Sequence, residues 1–368
     1  MDIFFGLLRG GLAELAEYFL AHFVTCLVPA FFIAGGISTF ISKGSILRYF
    51  GPGANRWLSY GVASVSGTVL SVCSCTVLPL FAGIYSVGAG LGPAIAFLYS
   101  GPAINVLAIV WTARILGFDI GAARAIAAIL SALVIGSLMA KIFYREERDR
   151  ATETFALAQS PGSLNGWQAI ILLTTLVVVL ISLAWGINIT PEKNVETWEL
   201  ITGIEVIINW TACLFAGLSI VAFVVLLRRW LSSEEVSEWL RSTWSFFKMI
   251  VPWLVGGIFI AGMIGVVLPH EWVAHIVGGN TLQANFIASL AGALFYFATL
   301  TEVPILQTLI DAGMGTGPAL SLLLAGPAVS LPSILVLQHI MGAKKTLTYV
   351  GLTVVMATIC GFIFGLLG

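Results

Sequence analysis

The chain has 368 residues, 17 Lys and Arg against 18 Asp and Glu, a formal net charge of -1, and a composition that is 59% hydrophobic and 10% charged. With a mean hydropathy of +1.01, it has too little polar surface to cover a soluble globule of this length. Composition therefore excludes a soluble fold, and the absence of basic excess argues against a nucleic-acid partner. What remains is an all-α polytopic membrane protein. A span takes roughly 20 apolar residues, about 30 Å of helix, and qualifying stretches predict about 8 to 12 transmembrane segments.

In chain order, residues 1–17 read as an amphipathic lead-in with Arg9, Glu14 and Glu17 on its polar side. MDIFFGLLRGG lacks the basic region and small-residue cleavage site of a signal peptide. Residues 18–143 form a first transmembrane unit. It opens with a span from Tyr18 to Ile41, kinked at Pro29 and Gly35-Gly36, and continues past Lys43, Arg48 and Arg56. From Trp57 to Val87 no charge occurs, yet the stretch is short for two crossings, so a re-entrant hairpin tipped by Cys73, Ser74, Cys75 and Thr76 is expected. A turn at Ser86 to Gly92 precedes a crossing broken at Gly101-Pro102, and a further span runs from Ala122 to Ile142. Residues 144–245 supply a basic loop, two extra helices around Trp167 to Ile187 and Val206 to Leu227, and an acidic loop between them with Glu192, Glu196 and Glu199. Residues 246–368 form a second unit, with a hairpin tipped by Thr299, Leu300, Thr301 and Glu302 and a crossing broken at Gly326-Pro327.

The two units are copies. At an offset of 225, Pro79 meets Pro304, and Gly88, Gly90, Gly92 and Pro93 meet Gly313, Gly315, Gly317 and Pro318. Gly101-Pro102-Ala103 meets Gly326-Pro327-Ala328, and no gap is needed. Apolar similarity alone would not keep glycines and prolines in register, so the pattern predicts an internal duplication. If the first loop is cytoplasmic and each span or hairpin alternates, most of the 17 Lys and Arg lie inside, leaving Arg9, Arg114, Arg124 and Lys193 outside. Both termini then lie outside a cell (inner) membrane. Because an even number of helices separates the copies, they are expected as two inverted structural repeats with re-entrant hairpins and proline-broken helices. That is a secondary-transporter build, with its site near the bilayer midplane.

The order Cys73-Ser74-Cys75, Pro79, the Gly88 to Gly92 turn and Ala96-Phe97-Leu98 resembles the predicted-permease family that includes YraQ and the ArsP organoarsenical exporters. The resemblance covers both repeats. It departs at Thr76, where the family carries glycine, and at the break Ser100 to Asn105. It implies efflux of trivalent arsenicals or of soft metals.

Two thiols at Cys73 and Cys75 on one tight tip can aim at one point, and thiolates suit soft ions or trivalent arsenic. The competing reading is that small cysteines pack a turn. Cys26, Cys213 and Cys360 are isolated and read as packing residues. Five scattered cysteines imply no disulfide framework. Glu302 is the sharpest signal, since a lone carboxylate in the membrane costs about 2.5 to 3.5 kcal/mol unless it faces a cavity or is protonated. It replaces Val77 of the first copy and is the candidate for proton coupling; its alternative is a structural hydrogen bond to Thr299 or Thr301. Asn105 and Ser330 match just after the breaks, where they could present helix amides to an anion or satisfy broken backbone. Asp311 reads equally as a turn cap or a gate, and His270, His275 and His339 are too sparse for a metal site. Substrate contact is thus assigned to Cys73, Ser74, Cys75, Thr76, Asn105, Thr301, Glu302 and Ser330, with Cys73 and Cys75 as metal ligands. No cofactor is implied; the partners are the lipid bilayer and a small solute or ion.

No phosphate-binding loop is present to power an ATPase, so a secondary permease leads. A membrane thiol-disulfide protein is the alternative, although such proteins favour C-x-x-C. A channel would need a more continuous polar lining.

Overall fold

The computed structural model describes residues 2–40, 59–64, 74–148, 166–194, 199–267, 277–294, 302–311 and 313–367. Among these, five helices are long and apolar enough to cross a membrane: Phe118–Ile142, Gly166–Ala184, Trp210–Trp230, Ser233–Met263 and Ala343–Leu367. A bent pair, Leu91–Ala103 with Ala108–Ile115, raises the number to 6 if read as one span. Five shorter apolar helices accompany them. Against the expected 8 to 12 crossings, the described residues thus supply five or six, and the shorter helices would add to them only as parts of broken spans, as proline and glycine breaks in covered backbone allow.

The chain begins helical at once. Helix α1 (Asp2–Tyr18) continues through a π-helical stretch, Phe19–Leu27, into α2 (Val28–Phe40). The widened turns immediately precede Pro29, whose ring would clash with the carbonyl four residues back in a regular α-helix. After the first copy, α7 (Gly166–Gly186) leads into an antiparallel hairpin of β1 (Ile187–Asn194) and β2 (Glu199–Ile208), with Ile187 opposite Ile208. Here the all-α expectation is corrected: Glu192 and Glu199, expected in an acidic loop, lie in these two strands, and the next helix, α8 (Trp210–Trp230), starts after the second strand rather than at Val206. Asn209 caps α8 by accepting from the amide of Ala212. Helix α9 (Ser233–Val267) also extends further back than Phe246, started by Ser232, which exchanges hydrogen bonds with Glu235. It packs on α2, where the indole of Trp239 donates to the carbonyl of Phe32 at 3.0 Å and Ser38 meets Ser242 at 2.6 Å.

The duplicated stretch folds as duplicated elements. The first copy carries α3 (Ser74–Ser86), α4 (Leu91–Ala103), α5 (Val106–Ile115) and α6 (Phe118–Ile142). After α10 (Leu282–Leu294), the second carries α11 (Glu302–Asp311), α12 (Thr316–Ala325), α13 (Leu331–Met341) and α14 (Ala343–Leu367). Both ends of α6 recur in α14 at the 225 offset. The turns recur in backbone angle too: φ is +107° at Gly88 and +104° at Gly313, and +103° at Gly117 and +85° at Gly342. Side chains disfavour these angles, which explains why these glycines persist in both copies. Helix packing repeats as well. A Cβ at Gly136 would lie 2.7 Å from the carbonyl oxygen of Gly92, and one at Gly361 would lie 2.5 Å from that of Gly317, so α6 meets α4 as α14 meets α12.

The long helices of the two copies also meet each other. Lys345, at the start of α14, donates to the carboxylate of Glu147 just beyond α6 at 2.6 Å, and its ammonium stands over the ring of Phe143. The end of α14 brings Phe364 to the cluster around Ile120 at the start of α6. Helices α6 and α14 therefore run antiparallel, and midway Ser131 faces Cys360 at 3.8 Å. Around this crossing lies the main core, with Leu98, Tyr99, Ile135, Leu324 and Tyr349 all at most 1% exposed.

Candidate functional site

Glu302 is the first residue of α11, and only 1% of its side chain is exposed. Burial of a carboxylate in a membrane interior demands a partner, and the partner is Arg124, fully buried on α6, whose Nη2 lies 3.5 Å from Oε2 of Glu302. Arg124 was placed on the outer side by the loop reading. Helix α6 in fact begins at Phe118, four residues before the expected start, which puts Arg124 almost two turns inside the helix.

Neighbouring elements fix this pair. Thr112 of α5 accepts from Arg124 Nη1 at 2.9 Å while donating its own proton to the carbonyl of Ala108 at 2.6 Å. That second bond fixes which lone pair the threonine turns to the arginine. On the carboxylate side, a Cβ added at Gly326 would lie 2.8 Å from Glu302 Oε1, so the acid packs directly against the turn that separates α12 from α13. Tyr99 completes the surroundings. It lies within electrostatic reach of the guanidinium and donates its hydroxyl to the carbonyl of Leu324 at 3.3 Å.

Pairing is incomplete. Among the described residues, Nε and Nη2 of Arg124 and both carboxylate oxygens of Glu302 have no hydrogen-bond partner, and 3.5 Å is a Coulombic contact rather than a good charge-assisted hydrogen bond. Removing one member of such a buried pair costs about 3–5 kcal/mol, because the other is left charged and uncompensated. The centre thus pairs an acid with a base that need one another when ionised and that keep, among the described residues, unused hydrogen-bonding capacity.

The other candidates fall in different places. Cys73 and Thr301 lie outside the described residues, and Ser74 and Cys75 are described only as the first turn of α3. Thr76 is buried in that same turn. Gly101 and Pro102 stay in the last turn of α4, the separation from α5 falling at Ile104 and Asn105, whereas Gly326 and Pro327 form the turn itself. Asn105 and Ser330 both stand at helix starts: the carbonyl of Asn105 accepts from the amide of Ile109, and that of Ser330 from Ile334. The Ser330 amide donates to Ser333 Oγ at 2.8 Å, so the Ser333 side chain satisfies the backbone at this break. Asp311 ends α11 and accepts from Gln307 at 2.8 Å. Among the described residues no group of three potential metal ligands comes together. What sequence reasoning missed is Arg124. A signal was present: its repeat mate at the 225 offset is Tyr349, an aromatic inside the last span, which marks the position as one within the helix rather than in the loop before it.

The profile of a family described as predicted permease, ArsP_1, matches residues 9–366. The chain is 42% identical over 351 residues to UPF0718 protein MJ0584 of Methanocaldococcus jannaschii, covering 95% of this chain and 94% of that one. It is 24% identical over 353 residues to UPF0718 protein YraQ of Escherichia coli, covering 95% of this chain and 78% of that one. No solved structure matches.

Proposed function

The chain belongs to the predicted permease family, and from that premise we propose that it is a secondary transporter whose coupling centre is the Arg124–Glu302 pair. The observation that carries the reading is a fully buried, under-bonded ion pair set against a helix break at Gly326. Buried charges in a membrane are expensive to maintain and mark pathways or proton relays, and discontinuous helices are where transporters place their sites. An inverted-repeat architecture is supported by the antiparallel crossing of the equivalent helices α6 and α14. The end carrying Glu147 and Lys345 is proposed to face the cytoplasm, in keeping with the basic loops there.

The solute is proposed to be small and thiol-reactive: a trivalent arsenical or a soft ion in complexed form, met by Cys73 and Cys75. A secondary transporter runs in whichever direction the summed gradients point, so export follows when the solute accumulates inside. Reconstituted protein should carry one or more members of a panel of cadmium, zinc, a trivalent phenylarsenical, small thiols and small oxyanions, and should do so without ATP. Flux should respond to an imposed pH gradient. Flux of the whole panel equal to that of empty liposomes would overturn the proposal, whereas conduction at channel rates with no dependence on the gradient would favour a pore.

A further inference from the structure

The charge balance of the buried centre restricts what it can bind. With Arg124 and Glu302 both ionised, the centre is neutral. A bare cation arriving at the carboxylate would stand beside a guanidinium already 3.5 Å away and leave the centre with net positive charge in a low-dielectric surround. An anion arriving at Arg124 while Glu302 stays ionised leaves net negative charge. One further arrangement is neutral: Glu302 protonated and an anion on Arg124. There the Nε and Nη2 donors, without a hydrogen-bond partner among the described residues, acquire acceptors.

Resting on the proposed coupling role of Glu302, we infer that Arg124 is a substrate-binding residue that takes an anionic acid group of the solute, an oxyanion or carboxylate, and that the permease carries this group together with one proton. The guanidinium exchanges one acid group for another. The carboxylate of Glu302 takes up the proton as the substrate's acid group takes its place, and it ionises again when the substrate leaves. Neither event is favourable alone, because each leaves one buried charge unpaired, and this is what ties proton to solute. The geometry suits the exchange. Arg124 is anchored from the far side by Thr112, so it need not move with Glu302, and its planar fork can take an oxyanion through two parallel N–H donors. Among the described residues, the groups near the pair on packed elements are few. On α4 there is Tyr99; on α5 there is Thr112, with Arg114 on the exposed side; on α14 Tyr349 and Cys360 lie beside Tyr99; on α12 no titratable residue is present. The titrating group of the exchange is therefore Glu302.

The test is equilibrium binding of nitrate, acetate and methylphosphonate to the purified full-length protein, followed by thermal shift and tryptophan fluorescence across pH. Wild type should bind more tightly as pH falls. Glu302→Gln, which leaves Arg124 without its carboxylate, should bind at least one probe about tenfold or more tightly than wild type at neutral pH and lose the pH dependence. Arg124→Gln/Glu302→Gln, neutral at both positions and close in volume, should fold and bind none of them. No gain of affinity in Glu302→Gln, or equal binding by the double variant, overturns the inference. Loss of pH-driven flux in Glu302→Gln without any gain in anion binding would leave the coupling role intact and refute the anion assignment alone.

Discussion

The hydroxyl of Tyr99 donates to the carbonyl of Leu324 at 3.3 Å, and these two residues occupy the same position in the two copies of the duplicated stretch. The contact therefore marks a place where the two copies meet, and the Ser131 to Cys360 contact between α6 and α14 is another. A transporter that works by shifting one repeat against the other must slide these helices past each other.

That requirement gives a first prediction. Ser131→Cys places a thiol opposite native Cys360, on helices close enough for an S–S bond near 2 Å after small rotamer changes. Mild oxidation should link α6 to α14, detected by non-reducing electrophoresis after cleavage at an engineered protease site between α6 and α7. The link should arrest flux reversibly. Linking no greater than in wild type would contradict the packing; linking with full flux would contradict sliding at this crossing.

Tight glycine contacts give a second. Gly136→Ala and Gly361→Ala each push a methyl into a facing helix backbone, at 2.7 Å and 2.5 Å respectively, and backbone cannot swing aside. Each should destabilise by about 1–3 kcal/mol, read as lower thermal stability in detergent. Gly217→Ala on α8 meets nothing within 4 Å and should be neutral or slightly stabilising.

A third concerns the end of the bundle where Glu147 accepts from both Lys345 at 2.6 Å and Tyr85 at 2.9 Å. Lys345→Met should leave the carboxylate with the tyrosine as its remaining donor of the two, and Glu147→Gln should loosen the lysine. In a double-mutant cycle the two substitutions should couple by about 0.5–3 kcal/mol. Additive effects would mean that this contact holds nothing together.

The repeat was legible because glycines and prolines at fixed offsets carry backbone geometry: Gly88 and Gly313 announce the same positive φ, and Gly117 and Gly342 the same turn into the last helix. Glu302 was legible because an isolated carboxylate in an apolar setting is costly wherever it sits. Its partner was not, since Arg124 pairs with it through tertiary packing across the two copies, and local sequence says nothing of that. Counting Arg124 among the outer charges followed from fixing the span at Ala122 by hydropathy, which left Arg124 only three residues into the span, at its outer end, and hydropathy places helix ends poorly. The strands at 187–208 were hidden for a similar reason. An apolar run such as Val206 to Ile208 fits a strand or the start of a helix, and only length and pairing decide.

The most direct measurement of the central claim uses Glu302→Gln in proteoliposomes, with a solute that wild type carries. Gradient-driven accumulation and equilibrium exchange should be measured in the same preparation. The amide mimics the protonated acid but cannot release a proton, so accumulation driven by a pH gradient should vanish while downhill exchange continues. A variant that still concentrates the solute with the wild-type pH dependence would show that the Arg124–Glu302 pair is structural and that coupling resides elsewhere.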